Sequence, residues 1–97
     1  MFRHCVLLRF AESTSADQRE EVRAAIAALP DQIPEIVNYT VGFNAGDRAD
    51  NYDLAAVGDF ADKAAYDTYA EHPDHVRLIQ ETIAPVIAGR TAVQFEL

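Results

Sequence analysis

Residues 3–10, Arg3-His4-Cys-Val-Leu-Leu-Arg-Phe10, read as a β-strand with apolar groups on both faces, and this narrows the folds open to the chain. His4, Val6, Leu8 and Phe10 fall on one parity, Cys5 and Leu7 on the other. A later strand repeats the pattern, with Leu54, Ala56 and Phe60 against Ala55 and Val57. A sheet built from such strands needs cover on both sides. At 97 residues the chain is one domain, 1–97, and its two helical segments can cover one face only. A second copy of the sheet is the simplest cover for the other, so the pattern predicts a homodimer through sheet-to-sheet packing. A chain of this size buries only roughly 60–65% of its unfolded surface, which adds to the advantage of a partner subunit.

The remaining elements follow from periodicity and punctuation. Ser13, Thr14 and Ser15 are N-cap candidates for a helix over 15–29, with Val22, Ile26 and Leu29 at helical spacing and Pro30 and Pro34 ending it. Residues 36–44 alternate as a second strand, placing Val37, Tyr39, Val41 and Phe43 on one side. Ala45–Asn51 is turn chemistry, and a third strand is predicted at 52–60. A short helix over 62–71 should stop at His72, because Pro73 disfavours helical geometry before it while opening a new helix itself. Val76, Ile79, Ile83, Val86 and Ile87 give that helix an apolar stripe, which Pro85 should end or kink. Gly89 is a candidate cap, and 91–97 alternates as a final strand. The order βαββαβ is the ferredoxin-like split βαβ pattern of the α+β class, with a four-stranded antiparallel sheet.

Composition excludes several functions. Sixteen acids against eight bases give a formal charge of −8. Neither nucleic acid nor an anionic membrane surface suits such a chain as a partner. The single cysteine, Cys5, can form neither an internal disulfide nor a cysteine-rich zinc site. The apolar run from Cys5 to Leu8 is too short for a signal peptide or a membrane span, so a soluble cytoplasmic protein is expected.

Three segments carry a resemblance to a known family. Arg3-His4-Cys-Val-Leu-Leu-Arg-Phe10, Leu29-Pro-Asp-Gln-Ile-Pro-Glu-Ile36 and Tyr69-Ala-Glu-His72-Pro73-Asp-His75 resemble the Dabb proteins, the stress-responsive A/B barrel family. The resemblance runs over nearly the whole chain and implies a ferredoxin-like monomer that pairs into a dimeric α/β barrel. It is distant to olivetolic acid cyclase, a plant polyketide cyclase that closes a ring without an organic cofactor. The catalytic Tyr and His of that enzyme match Tyr69 and His75 here, and its strand-one His matches His4. A further pocket His falls at Leu54, where this chain departs from the enzyme.

The resemblance implies a pocket between sheet and helices for a small apolar or aromatic carbonyl compound, with no cofactor. In such a pocket His75 would be the base, since an imidazole titrates near working pH, and Tyr69 the hydroxyl donor to a developing enolate. His4 would line it, with Phe10, Ile26, Val76 and Ile79 against the ligand's body. The alternative for Tyr69, His75 and His4 is a structural role, as core groups bonded to backbone. His72, before Pro73, suits helix capping. No metal site is expected from His, Cys or carboxylate spacing; the family resemblance implies only a hard cation on the backbone carbonyls of Pro30, Ile33 and Ile36. Glu12, Asp17, Glu20 and Glu21 read as a solvated face favourable to the helix dipole. Two other functions stand beside the cyclase-like one: a non-catalytic stress or interaction module, and a cofactor-independent monooxygenase. The monooxygenases typically set Trp and Asn beside a His, and this chain has no Trp.

Overall fold

The structure is a computed structural model and describes all 97 residues. Four strands, β1 (Phe2–Phe10), β2 (Ile36–Phe43), β3 (Leu54–Phe60) and β4 (Ile87–Glu96), form an antiparallel sheet in the order β2-β3-β1-β4. The helices α1 (Ala16–Ala27), α2 (Leu29–Gln32), α3 (Lys63–Glu71) and α4 (Pro73–Leu78) belong to the two crossovers. The alternation in β1 sets which side they cover. Val6, Leu8 and Phe10 are buried with Leu54, Ala56 and Phe60 of β3 and with Val22, Ile26 and Leu29 of the helix layer.

Local chemistry places each helix. Ser15 closes a capping box: its Oγ accepts from the Gln18 amide while Gln18 Oε1 accepts from the Ser15 amide. Thr14, one residue earlier, is buried, and its hydroxyl donates to the Val86 carbonyl, tying the start of α1 to the end of the second crossover. The helix expected over 15–29 stops at Ala27, and Pro30 opens α2 instead of ending α1. A proline lacks the N–H that a helix interior needs but loses nothing in a first turn. After α4 the backbone widens into a π turn at Ile79–Ile83, where the Ala84 amide donates to the Ile79 carbonyl, and tightens to a 3₁₀ turn at Ala84–Val86 around Pro85.

Three strand expectations are corrected by hydrogen bonding. Pairing of Ile36 with Phe60 and of Asn38 with Asp59 leaves Val37 as a bulge residue, half-exposed and off the face that Tyr39 and Val41 share. Strand β3 begins at Leu54, not at residue 52, because Asp53 is spent on β1: its amide donates to Leu8 and its carboxylate accepts from the Phe10 amide. Gly89 lies inside β4, which starts at Ile87, so it caps nothing.

The other face of the sheet is bare in the single chain. Leu7, one of the residues that called for a second layer, stands there 39% exposed, and Val93 and Phe95 of β4 add to it at 58% and 43%. On the same face Arg3 grips Asp59 through two hydrogen bonds of 2.7 and 2.9 Å, and that guanidinium holds the Asp59 carboxyl below its ordinary range. Removing the cap of α1 tests how much the first crossover depends on it. Ser15→Ala should lower unfolding stability by about 1 kcal/mol, read from urea midpoints at constant m-value.

Candidate functional site

A break at His72 and Pro73 builds the site. The α3 ladder ends at Glu71; His72, in extended geometry, caps α4 by accepting from the Asp74 amide through Nδ1. The turn brings two residues six apart into contact, with the rings of Tyr69 and His75 4.3 Å between centroids. Because α3 ends there, the Ala70 carbonyl has no partner within the helix, and it accepts from His75 Nδ1 at 3.0 Å.

Below these side chains, between sheet and helices, lies a cavity of about 80 Å³. Twelve of its fifteen lining residues are apolar or aromatic; the others are His4, His75 and Arg90, so its polarity rests on few groups. Tyr69 is buried, and its hydroxyl meets that of Tyr39 at 2.8 Å. Gly58 stands opposite Tyr39 in the sheet; a Cβ there would come within 3.3 Å of the Phe60 ring and would touch Tyr39 at an ordinary 3.6 Å. Burial pushes the phenols of both Tyr39 and Tyr69 upward, so the pair stays neutral and one of its two protons remains to be donated outward.

The two cavity histidines are held in opposite tautomers. The Gln94 side-chain amide donates to His4 Nδ1 at 2.8 Å. Burial, aided by Arg90 and His75, lowers His4 to about 4, so the ring is neutral near pH 7 and its proton sits on Nε2. His75 donates from Nδ1 to a carbonyl, and burial also lowers its pKa, so its Nε2 carries the free lone pair. The cavity therefore presents one nitrogen donor, one nitrogen acceptor and a hydroxyl pair.

Of the residues singled out from sequence, Tyr69, His75, His4, Ile26 and Ile79 line this cavity together. Two expected wall residues do not. Phe10 is buried in the core under the Arg19 guanidinium, since β1 carries it past the end of the cavity. Val76 points outward, 37% exposed, because the new start at Pro73 turns it away from the sheet. Tyr39 and Arg90 were not foreseen in the site: Tyr39 read as an alternating strand aromatic, and Arg90 fell just before the strand expected at 91–97. Among the carbonyls considered for a cation, that of Ile33 already accepts from the Ile36 amide.

An α+β domain with a ferredoxin-like sheet and a small polar-tipped cavity under its helices is the class these features define. The model of the Stress responsive A/B Barrel Domain, Dabb, matches residues 2–97, and the chain belongs to that family. Curated protein sequences give no relative. Among solved structures the chain is similar to a dimeric ferredoxin-like protein of unknown function from Thermobifida fusca, 42% identical, with a TM-score of 0.88 over 99% of this chain and 90% of that one. It is also similar to a dimeric protein of unknown function from Bacteroides fragilis, 26% identical, with a TM-score of 0.83 over 99% and 95% of the two chains. The hydroxynitrile lyase of Passiflora edulis shares the fold, at 22% identity and a TM-score of 0.88 over 99% and 92%. No helix here is long and apolar enough to cross a membrane.

The state of His4 has a measurable consequence. Its folded pKa lies below the ordinary 6.5, so between about pH 6.5 and 4 the unfolded chain takes up a proton that the fold refuses. The stability His4 supports is complete above that window and is lost as pH falls through it; His75 acts in the same direction. Urea midpoints should fall across the window in the native chain and fall less steeply in His4→Asn. Equal slopes would mean that His4 takes up its proton in the folded protein as readily as in the unfolded chain.

Proposed function

We propose that this Dabb protein works as a homodimer whose cavity binds a small apolar carbonyl compound and performs acid–base chemistry next to the carbonyl, in the manner of a polyketide cyclase. The observation that carries the reading is the tether of His75. Its Nδ1 is fixed on the Ala70 carbonyl, leaving Nε2 as an unprotonated base against an apolar cavity wall. In the forward step His75 Nε2 takes a proton from the carbon beside the carbonyl. The charge that develops on oxygen is met by neutral donors, the Tyr69 hydroxyl reinforced by Tyr39, and His4 Nε2–H. All three are neutral near pH 7 because burial disfavours their charged forms, phenolate for the tyrosines and imidazolium for His4.

The volume narrows the ligand. About 80 Å³ is well below the roughly 300 Å³ at which pockets for drug-sized ligands begin. A short-chain compound, or the reacting end of a longer one, fits this reading better than an aromatic ring. The hydroxynitrile lyase among the structural neighbours supports the fold and no particular substrate, given its 22% identity.

The base is tested by exchange of α-protons of methyl propyl ketone in D₂O, followed by proton NMR. His75→Ala should slow enzyme-dependent exchange by about 10²-fold or more, and Tyr69→Phe by less. The native rate should climb with pH through an inflection below the ordinary imidazole value and then level off, since the neutral ring is the active form. Exchange no faster than in buffer would leave a non-catalytic dimer as the better reading. The dimer is tested separately. Leu7→Asp or Val93→Asp places a charge on the bare sheet face, and light scattering should show the mass halve. An unchanged mass would move the interface elsewhere.

A further inference from the structure

Arg90 is the cavity's only fixed charge, and its freedom is informative. The chain has eight basic side chains, of which Arg3, Arg19, Arg23, Lys63 and Arg77 pair with carboxylates. Arg9 bonds the Asp50 carbonyl and lies over Tyr52. In a protein with twice as many acids as bases, Arg48 on an exposed loop and Arg90 have no such partner, and Arg90 alone among the eight lines the cavity. Strand register explains its place: Arg90 is opposite Leu8 and shares the inner face of the sheet with it. Its side chain is exposed, so it stands at the mouth and not in the apolar depth.

Size and charge then select one kind of molecule. A dry cavity of about 150 Å³ admits benzene, so about 80 Å³ holds a short alkyl group with a carbonyl and little more. Anything longer emerges at Arg90. The guanidinium fork matches a carboxylate in two parallel hydrogen bonds, and next to an apolar wall such a bond is stronger than in open water. A neutral ligand would use neither property.

We propose that the cavity takes a short-chain oxo acid, with its carboxylate on Arg90 at the mouth and its carbonyl turned inward to His4 and His75. This rests on the acid–base reading above and adds the substrate class to it. The carboxylate also fixes which end of the molecule enters, so the carbon between carbonyl and chain is presented to the same nitrogen in every encounter.

Four probes of similar length separate the parts: levulinate, its methyl ester, pentanoate and methyl propyl ketone. Each is titrated into the ¹⁵N-labelled homodimer and followed by amide shifts. Levulinate should bind about tenfold or more tightly than the ester and the ketone. Arg90→Gln should bring levulinate to the level of the ester while leaving ester and ketone unchanged, and Arg90→Lys should keep part of the gain. Pentanoate should fall below levulinate, having no carbonyl for His4 Nε2–H. Levulinate binding no tighter than its ester, insensitivity to Arg90→Gln, equality with pentanoate, or no binding by any probe would each overturn the proposal. The exchange assay with methyl propyl ketone, which has no carboxylate, reports on the acid–base reading alone. A ketone that exchanges without any preference for the acid would retain that reading and remove the role of Arg90.

Discussion

Everything at the site depends on a helix that stops early. On an unbroken helix six residues turn through about 600°, which would put Tyr69 and His75 on different sides. Pro73 forbids that continuation, and the chain restarts in a new direction with His72 as its cap. The break does two things at once. It swings His75 back against Tyr69, and it strips the Ala70 carbonyl of its helical partner so that the carbonyl can hold His75 Nδ1. A tautomer is thus set by a helix terminus, without a carboxylate beside the ring. An Asp in the place of Ala70's carbonyl would favour the charged ring further; the carbonyl fixes the proton and itself raises the imidazole pKa, and burial outweighs it to leave the ring uncharged.

The empty space beneath these groups has an energetic side. Voids in a packed core cost roughly 24 cal/mol per Å³, so about 80 Å³ amounts to about 2 kcal/mol at most, and less where the mouth at Arg90 admits solvent. Against a typical total of 5–15 kcal/mol for a domain, roughly, that is a large fraction. Larger side chains at Ala56 or Ala84, both in the lining, would fill the space. A space kept in so small a domain, next to the buried His4, the half-buried His75 and a phenol pair, is what a binding site requires and what a purely structural core would eliminate.

The order βαββαβ and the double-sided apolar strands were legible because they depend on local periodicity and on the count of faces, both of which a single sequence carries. So was the break at Pro73, where one ring closes off one backbone conformation. What was not legible depends on pairing between distant segments. The bulge at Val37 exists because β2 must shift its register against β3, and the inward turn of Arg90 follows from its opposition to Leu8 eighty-two positions earlier. Phe10 shows the same limit: it has the right parity for the cavity, but parity fixes a face and says nothing about distance along the strand. His4 was identified from strand parity and family pattern, yet its tautomer needed Gln94, which is ninety residues away.

Strand β4 joins the two halves of the functional reading. Its side chains alternate, so Arg90 and Gln94 turn toward the cavity side while Val93 and Phe95 turn to the bare face. As an edge strand it is held in the single chain by β1 alone. Covering Val93 and Phe95 with a second sheet would therefore stiffen the same strand that brings Arg90 to the mouth and Gln94 to His4. On the proposed reading, pairing and chemistry are then not independent traits of the fold. The exposed apolar face is the reverse side of the strand that sets Gln94 against His4, and on the proposed sheet-to-sheet pairing loss of the dimer should loosen the grip of Gln94 on His4 before it unfolds the sheet.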